Sequence, residues 1–380
     1  VISSYTRLAG WVDYLAARHK SIVFDEIQDL HRAYDGSEFT RKYAAAHSLA
    51  RAMEYRMGLS GTPVEGYGGE AFNVLDVLRP GELGSRTEFR REWTTGGPED
   101  KTLIADPRAF GLYLQTSGAV LRRVRTDVDR ELPPSQTIVH RLDVDQAAID
   151  RLSGNAVDLA RIILAQHGPG VTNLDKLHAG GELDRILRKA TGIAKAPHIA
   201  AFLRMIVEST EQGEPVVCGL WHRDVHAIIL EMLGDLTPIM YTGSESPKQK
   251  REAVDAFIGG ESRVFLMSLR SGSGINGLER VCHTSVIGEL DWSPKKHEQI
   301  FGRTDRERKW LPMDKQIACT NYYLMATSGS DPTVADVLNL KNSQSRPIMD
   351  PKVDTFLGAS VDPEHMKRLA QAVIARHGGR

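Results

Sequence analysis

The chain has 380 residues, of which 41% are hydrophobic and 26% charged, the composition of a folded globular protein. This length predicts about two domains of ordinary size. The formal net charge is -1 and the pI is near 7.0, which excludes a strongly basic protein, so any nucleic-acid binding has to come from local patches. No stretch reaches the roughly 20 apolar residues of a membrane span, and no signal-peptide pattern opens the chain. We therefore expect no membrane partner.

The three cysteines, Cys218, Cys282 and Cys319, are far apart in the sequence. They show no C-x-x-C spacing, which disfavours both a metal site and a disulfide framework. We therefore expect a reducing, cytoplasmic setting.

Short β-rich runs alternate with helical patterns along most of the chain. In the first part, the strands are predicted at 1–4, 21–24 and 55–59, with helices at 5–19 and 38–54. Residues 66–205 are predicted to be mainly helical, with breaks at glycine and proline clusters such as Pro133-Pro134. A second series of strands is predicted at 215–220, 237–241, 263–267, 284–288 and 316–324, with helices at 222–233, 247–258, 294–302 and 332–341. This alternation predicts parallel sheets that helices cover on both faces.

The predicted fold class is therefore α/β, with two parallel-sheet lobes joined by a helical insert. The expected division is residues 1–140 for the first lobe with a helical protrusion, 141–205 for the insert, 206–345 for the second lobe and 346–380 for a C-terminal tail. A short amphipathic helix is expected within the tail, at 363–375.

An acid pair, Asp25 and Glu26, ends the apolar run Ser21–Phe24. An acid at the carboxyl end of a buried parallel strand can hold a magnesium ion on a triphosphate, and its neighbour can deprotonate a water. The alternative is that the two acids begin a helix, where they interact favourably with its dipole. A second strand, Tyr55–Leu59, runs into the small-residue turn Ser60–Pro63, which lets the backbone approach the acids. The two segments in this order favour the catalytic interpretation.

Far downstream, Gln299, Arg303 and Arg306 follow a predicted helix start at Ser293-Pro294. Their spacing of four and three residues places the three side chains on one helix face. Arginines on a second lobe can stabilise the charge that develops on a γ-phosphate. The alternative is a solvated, charged helix end. The acids and the arginines together predict the two halves of a nucleotide-hydrolysing cleft, although the sequence contains no G-x-x-x-x-G-K-S/T phosphate loop.

Two further segments suggest phosphate contacts. The turn Thr242-Gly243-Ser244 lies between a predicted strand and a predicted helix, where backbone N–H groups can bind a phosphate. The basic run Lys248–Arg251 beside this turn is interpreted as solubilising charge.

A dinucleotide-binding fold is the main alternative. Gly272, Gly274 and Gly277 form a G-x-G-x-x-G pattern after a predicted strand, and Glu289 and Asp291 end the next strand, where a ribose-binding acid would lie. Only residues 278–283 separate the last glycine from that strand. A parallel crossover with its helix needs about a dozen residues or more, so the pattern lacks its helix and is weak.

The order of these segments resembles the Swi/Snf-type ATPase family of superfamily-two helicases. Ile2–Tyr5 is similar to the family's I-T-S-Y, Asp25–Gln28 to its D-E-A-H, and Leu59–Pro63 to its L-T-G-T-P. The run from Leu121-Arg122-Arg123 to Glu131–Pro134 is similar to its L-R-R…E-L-P-P. The last matching segments are Arg270–Asn276, Glu289–Pro294 and Glu298–Arg306, in the form that bacterial and phage members have. The resemblance covers residues 1–341 and implies the cytoplasm of a bacterial or phage-infected cell.

The resemblance implies two RecA-like lobes, with ATP between them and duplex DNA across both. It implies that Asp25 holds Mg²⁺, that Glu26 deprotonates the attacking water, and that Arg303 and Arg306 reach the γ-phosphate with Gln299 beside them. The residues that would contact the nucleotide and couple hydrolysis to lobe closure are Ser60, Thr62, Gly274 and Asn276. The residues expected near DNA phosphates are Tyr5, Thr242, Gly243, Ser268 and Arg270. Family members are helicase-like motors that translocate on duplex DNA and remodel protein–DNA complexes.

The sequence departs from the family at two points. Gln28 stands where the family has histidine, and the phosphate loop is missing, which implies a first lobe that is incomplete at its N-terminus. A segment or partner chain that carries the loop is therefore expected. The alternative is a catalytically inactive DNA-binding or regulatory remnant, or one half of a split motor.

Overall fold

The structure is a computed structural model that describes residues 1–35, 38–61, 63–64, 66–96, 102–154, 156–164, 173–209, 211, 213–271, 275–350, 371 and 374–375. The chain forms two compact units. The first comprises Val1–Arg123 with Asn339–Val361, and the second comprises Val124–Leu338 with Asp362–Arg380.

The first unit is built mainly from helices around a small parallel sheet. Its elements in chain order are α1 (Tyr5–Leu8), α2 (Val12–Ala16), β1 (Ser21–Asp25), β2 (Tyr34–Asp35), β3 (Glu38–Phe39), α3 (Arg41–Ala52), β4 (Tyr55–Leu59), α4 (Glu70–Leu78), α5 (Arg86–Trp93) and α6 (Pro107–Thr116). Among the described residues, β1 pairs only with β4, in parallel, and β2 pairs with β3 in antiparallel orientation.

One face of the β1–β4 sheet is covered and the other is exposed. Phe24, 3% exposed, and Ile22 pack against α1, α2 and α3. Because side chains alternate along a strand and paired residues share a face, Val23 lies on the opposite face with its partner Met57. The apolar residues of this uncovered face have exposed fractions between 46% and 64%: Val23, Tyr55, Met57 and Leu59.

Gly58 allows the covered face of β4 to pack closely. A Cβ atom at this position would lie 2.7 Å from Cδ1 of Ile27 and 2.9 Å from Cδ1 of Leu78. A larger residue would therefore push β4 away from α4 and from the 3-10 turn Ile27–Leu30 that follows the acid pair.

The second unit contains a six-stranded sheet. Its elements are β5 (Gln136–Leu142), α7 (Gln146–Leu152), α8 (Ala156–Leu164), α9 (Asn173–Val207), β6 (Val216–Leu220), α10 (Arg223–Met232), β7 (Ile239–Tyr241), α11 (Pro247–Ile258), β8 (Val264–Ser268), β9 (Thr284–Ile287), α12 (Pro294–Phe301) and β10 (Thr320–Ala326). α13 (Asp331–Met349) follows, and the boundary between the units falls within its sequence.

All neighbouring strands of this sheet are parallel, in the order β5-β10-β9-β6-β8-β7. Val216, Cys218 and Leu220 of β6 belong to a core with α9 and α10, whereas Val217 belongs to a core with α12 on the other face. Both faces are buried, so the central strands are continuous apolar runs. The carboxyl ends of the strands share one edge, which brings the segments after β6, β7 and β8 together.

The predicted class, α/β with parallel-sheet lobes, is confirmed, and most predicted strands lie within two residues of their observed positions. Two predictions were wrong. Residues 1–4 are not a strand: they pair with nothing in the described structure, and Val1 and Ile2 are 91% and 103% exposed. β5 lies within the region predicted to be mainly helical, because its residues face solvent at most positions and lack the apolar run of an internal strand.

The start of β10 was also misplaced, since it begins at Thr320 and not near Gln316. The Gln316 side chain instead binds the loop before the strand: Nε2 donates to the carbonyl oxygens of Arg308 (2.9 Å) and Leu311 (3.0 Å). The predicted tail helix lies mostly outside the described residues. In the described part of the chain, no helix has the length and apolar character needed to cross a membrane.

Candidate active site and nucleic-acid interface

The acid pair lies at the carboxyl end of β1, as the sequence predicts. Asp25 is the last residue of the strand and is exposed on the uncovered face of the sheet. Its Oδ1 accepts a hydrogen bond from the backbone N–H of Glu26 at 3.1 Å. The end of the strand thus presents two adjacent carboxylates to solvent.

Glu26 has a left-handed backbone, with φ at 49° and ψ at 49°. Residues other than glycine adopt this conformation at an energetic cost, and such residues concentrate at functional sites. The Gln28 side chain is fully buried, and its Nε2 donates to Oε2 of Glu26. The position of the Glu26 carboxylate is therefore held by the buried side chain of Gln28.

Tyr5 lies against the acid pair. Its hydroxyl donates to the backbone carbonyl oxygen of Asp25 at 2.8 Å, and its ring stacks on Phe24 with 6.2 Å between the ring centroids. Burial raises the pKa of Tyr5, and the charges of Asp29, Asp25 and Glu26 raise it further. Tyr5 therefore stays protonated and supports the end of β1, and its predicted contact with DNA stays a prediction.

The predicted turn after β4 lies beside a large cavity within the first unit. Ser60 and Pro63 line this cavity, whose volume is about 500 Å³, whereas Thr62 lies outside the described residues. The other walls come from β4, α4 and the segment 118–123. The apolar lining is accompanied by four arginines: Arg56, Arg79, Arg122 and Arg123.

The predicted arginine pair is assembled within the second unit. Arg303 Nη1 donates to the backbone carbonyl oxygen of Ile275 at 2.9 Å, and Arg306 Nη1 contacts the same oxygen at 3.3 Å. Arg306 also donates to the side-chain oxygen of Asn276, and its Nε donates to the carbonyl oxygen of Gly302 at 2.6 Å. The structure therefore brings Arg303, Arg306 and Asn276 together.

Gln299 lies on α12, one turn before Arg303, and is partly exposed. Gly274, predicted to contact the nucleotide, lies outside the described residues, as do Gly272 and Ser273. The roles of these residues stay predictions.

In the predicted phosphate-binding turn after β7, the carboxylate of Glu245 accepts the hydrogen bonds that a phosphate would accept. The backbone N–H of Thr242 donates to Oε2 of Glu245 at 2.7 Å, and the Thr242 hydroxyl donates to Oε1 at 2.9 Å. Glu245 and the Thr242–Gly243 turn form a closed loop at the start of α11, where Ser246 caps the helix. Burial acts to raise the pKa of Glu245, but the hydrogen bonds from Thr242 and from the Glu245 backbone, with the charge of Lys250, outweigh it and the net shift of the pKa is downward, so the carboxylate is ionised.

Ser268 ends β8 and is 8% exposed, and its Oγ accepts a hydrogen bond from the backbone N–H of Arg270 at 3.3 Å. The Arg270 guanidinium is exposed and lies over the ring of Trp221, 4.2 Å from its centroid. Sequence reasoning did not single out Trp221. The available signal was its position directly after β6, at the sheet edge that also carries Ser268 and Arg270.

Glu289, the acid that a dinucleotide fold would use for a ribose, has an internal role. Its carboxylate is 4% exposed; Oε2 accepts the backbone N–H groups of Trp221 (2.7 Å) and His222 (2.9 Å), and Oε1 contacts Nδ1 of His222 at 2.6 Å. Between Ile275 and β9, the described residues form only the 3-10 turn Leu278–Arg280. These contacts argue against the dinucleotide interpretation.

The described residues contain no group of three or more histidine, cysteine or acidic side chains that could hold a metal by themselves. Mg²⁺ bound with a nucleotide needs less, since it keeps several waters and takes one or two carboxylates together with phosphate oxygens. The exposed carboxylates of Asp25 and Glu26 fit this requirement.

The comparison with known proteins gives one family match. Residues 1–151 match the family described as the SNF2-related domain. The chain is 23% identical over 332 residues to the "Probable chromatin-remodeling complex ATPase chain" of Oryza sativa subsp. japonica, covering 78% of this chain and 27% of the relative. It is also 23% identical over 323 residues to "DNA repair and recombination protein RDH54" of Saccharomyces cerevisiae (strain RM11-1a), covering 76% of this chain and 34% of the relative. The chain thus spans about a third or less of these relatives.

Two solved structures are also similar. The "Sulfolobus solfataricus SWI2/SNF2 ATPase core in complex with dsDNA" has a TM-score of 0.42 and 18% identity, covering 96% of this chain and 75% of that chain. The C-terminal part of the Fun30 ATPase domain has a TM-score of 0.46 and 13% identity, covering 66% of this chain and 100% of that chain.

Proposed function

We propose that this chain is a DNA-dependent ATPase motor of the Swi/Snf type that translocates on duplex DNA and remodels protein–DNA complexes. The observation that carries the proposal is the acid pair Asp25–Glu26. It ends a parallel strand inside the region that matches the SNF2-related domain, and the Glu26 carboxylate is oriented by a buried side chain.

The acid pair supplies two different functions in this proposal. Asp25 would hold Mg²⁺, and the bound ion would supply positive charge against the phosphates of ATP. Glu26 takes the proton of the attacking water. The hydrogen bond from Gln28 restricts the Glu26 carboxylate, and the left-handed backbone turns it away from the strand direction.

Arg303 and Arg306 stabilise the charge that develops on the γ-phosphate, with Gln299 next to them. Both guanidinium groups are held by the carbonyl oxygen of Ile275. Asn276 connects Arg306 to the segment after β8, so a displacement of that segment changes the position of the arginine. The proposed coupling of hydrolysis to motion involves this contact, and also Ser60, Thr62 and Gly274.

We further propose that the phosphate loop comes from a segment that supplies a strand to the first unit. The sequence contains no G-x-x-x-x-G-K-S/T motif. β1 and β4 each have one unpaired edge in the described structure, and Val23, Tyr55, Met57 and Leu59 leave one face uncovered. A free edge beside an apolar surface can accept an extended segment by main-chain hydrogen bonding. The cavity beside β4 continues this surface, since Met57 and Leu59 also line the cavity.

Duplex DNA is the proposed nucleic acid on which the chain translocates. Thr242, Gly243, Ser268 and Arg270 follow β7 and β8, which are neighbours in the second sheet, and Tyr5 belongs to the first unit. Contacts of these residues with phosphates would be independent of base sequence and sensitive to salt.

Phosphate release tests the proposal. ATP hydrolysis should be measured on residues 1–380 with Mg²⁺ and duplex DNA, with and without a co-expressed segment of the form strand–G-K-S/T–helix. A matched segment with alanine in place of the lysine is the control. We expect weak ATP binding by the chain alone, and DNA-stimulated hydrolysis only with the intact segment.

Two results would contradict the proposal in different ways. Micromolar, magnesium-dependent ATP binding by residues 1–380 alone would rule out the supplied phosphate loop. DNA binding without hydrolysis under every condition would favour the inactive DNA-binding or regulatory protein, or a split motor that requires another partner.

A further inference from the structure

Three cations surround one tryptophan at the carboxyl edge of the second sheet. Arg270, Lys296 and Arg188 lie over the Trp221 ring, at 4.2, 4.4 and 5.1 Å from its centroid. The three come from different elements: the segment after β8, α12 and α9. A cation over an indole face gains electrostatic attraction from the ring. Trp221 thus organises positive charge at this edge.

The three cations differ in their acidic partners. Arg188 Nη2 and Lys296 Nζ each lie 3.6 Å from Oδ2 of Asp291, and Arg188 also contacts Asp184. No ion pair of Arg270 occurs among the described residues, and its side chain is exposed. Arg270 is therefore the member of this group whose charge is available to a ligand.

The contact with Trp221 holds Arg270 in a form suited to an anion. Its guanidinium carbon lies 4.2 Å from the ring centroid, and none of the hydrogen bonds or ion pairs of the described residues uses its side-chain N–H groups. The contact also restricts a long side chain that would otherwise lose rotamer freedom on binding. The geometry at Trp221 is thus that of a prepositioned phosphate ligand.

Hydrogen bonds to the backbone hold the segment that carries Trp221. The buried Glu289 carboxylate accepts the backbone N–H groups of Trp221 and His222, which hold the start of α10 against the end of β9. On the other side, Arg223 Nη2 donates to Oγ of Ser244 at 3.3 Å, which connects this segment to the turn after β7. These hydrogen bonds connect the segment that carries Trp221 to the segments after β9 and β7.

We propose that Trp221 is a positioning residue for duplex DNA: it holds the Arg270 guanidinium over its ring, where the guanidinium can bind a backbone phosphate. This inference rests on the proposed function only in naming duplex DNA as the ligand. It concerns binding without nucleotide, so it is tested independently of hydrolysis.

The test is duplex affinity of the full chain without ATP, measured by fluorescence anisotropy between 50 and 200 mM salt. Arg270→Ala should weaken binding roughly tenfold near 0.1 M salt and lower the slope of log affinity against log salt by about 0.9. Trp221→Leu should weaken binding about two- to fivefold, the range expected for a surface cation–π contact. Trp221→Phe keeps an aromatic face and should recover part of this loss.

A double-mutant cycle separates positioning from a general effect of the ring. Trp221→Leu should cause no further loss when Arg270 is already alanine, because the two residues act through one contact. Arg263→Ala is the matched control, since Arg263 precedes the same strand at its opposite end. Circular dichroism melting identifies any variant whose fold is disturbed, and Trp221→Phe then replaces Trp221→Leu in the cycle.

The outcomes are distinct. The positioning role is overturned if the wild-type chain binds duplex DNA normally and Trp221→Leu causes the same loss of affinity in the wild-type chain and in the Arg270→Ala variant. Unchanged affinity of Arg270→Ala would remove the phosphate contact and the inference with it. Absence of duplex binding by the wild-type chain at 50 mM salt would overturn both this inference and the proposed DNA-dependent function.

Discussion

The side-chain amide of Gln28 donates a hydrogen bond to the carboxylate of Glu26, two residues earlier in the chain. Gln28 is fully buried, while the backbone of Glu26 is left-handed. A buried donor thus holds an exposed carboxylate in a restricted orientation. In the proposed function this contact orients the base that deprotonates the attacking water.

The change Glu26→Gln should abolish hydrolysis in any assembly of this chain that turns over ATP, while the affinities for nucleotide and DNA stay close to wild type. Removal of one positioned base typically costs about 10²- to 10⁴-fold in rate. Steady-state phosphate release, together with separate binding titrations, measures both effects. Glu54→Gln, a change just before β4, is the control. A variant that retains more than about a tenth of the rate would refute Glu26 as the base.

Arg303→Ala and Arg306→Ala should each lower DNA-stimulated turnover by about 10³-fold or more, with little loss of ATP affinity, because the arginines act on transition-state charge. Asn276→Ala should have a smaller effect in the same direction, since it removes a contact that holds Arg306. Single-turnover hydrolysis measures the chemical step. Arg280→Ala, an exposed arginine of the same unit, should behave as wild type. Unchanged turnover in both arginine variants would indicate a solvated helix end.

Glu245→Gln should strengthen duplex binding about fivefold at low salt. The carboxylate accepts the hydrogen bonds of the Thr242 backbone N–H and hydroxyl. Two unit charges about 4 Å apart in water interact by about 1 kcal/mol. Removal of the Glu245 charge therefore relieves the repulsion between Glu245 and a DNA phosphate bound at this turn. Fluorescence anisotropy at 50 mM salt measures the change. Glu261→Gln removes an equal charge beyond the other end of α11 and should leave affinity unchanged. Weaker binding by Glu245→Gln would mean that the carboxylate only stabilises the turn.

The free energy of unfolding should fall as the pH decreases from about 6.5 to about 4, partly through His297. Burial lowers the pKa of His297 to about 4; Asp291 opposes this shift, while Arg188 and Lys296 add to it. Between these pH values the unfolded chain binds a proton that the folded chain does not, so stability rises with pH in this window and is unaffected above it. The contribution is on the order of 3 kcal/mol.

The contact behind this prediction is the backbone N–H of Asp291, which donates to Nε2 of His297 at 2.8 Å and therefore requires an unprotonated nitrogen. Chemical denaturation at several pH values from 7.5 to 4.5 measures the effect. His297→Gln retains an acceptor and should flatten the profile, whereas His19→Gln, at an exposed position, should not. Equal pH slopes for wild type and His297→Gln would contradict the assignment.

The sequence predicted the inner strands well because a parallel strand buried on both faces is a continuous apolar run; Val216–Leu220 is fully buried along its length. The same physics explains the failure at Gln136–Leu142. An edge strand is covered on one side only, so its pattern is mixed, and its partner Thr320–Ala326 lies far along the chain. Local patterns cannot identify such a pairing.

The spacing of Gln299, Arg303 and Arg306 predicted one helix face, but α12 ends at Phe301, so the two arginines lie in the turn after the helix and meet at the carbonyl oxygen of Ile275. Spacing indicated that the arginines are neighbours but not what they contact, because a hydrogen-bond donor has several possible acceptors. Nothing in the run Thr242–Glu245 indicates that the glutamate carboxylate accepts hydrogen bonds from the N–H group and the hydroxyl of Thr242. Likewise, the cation–π contact of Arg270 with Trp221 depends on the order of β6 and β8 in the sheet, which the sequence alone does not give.

The position of β5 has a consequence for the order in which the chain folds. β5 precedes the long helix α9, yet its partner β10 is made much later: the Thr327 hydroxyl contacts the carbonyl oxygen of Leu142 across 185 residues. Closure of so long a loop is slow relative to local pairing. During synthesis from the N-terminus, β5 must therefore wait as an unpaired strand while β6 to β9 assemble, and its solvent-compatible sequence, Gln136–Leu142, limits aggregation in that interval.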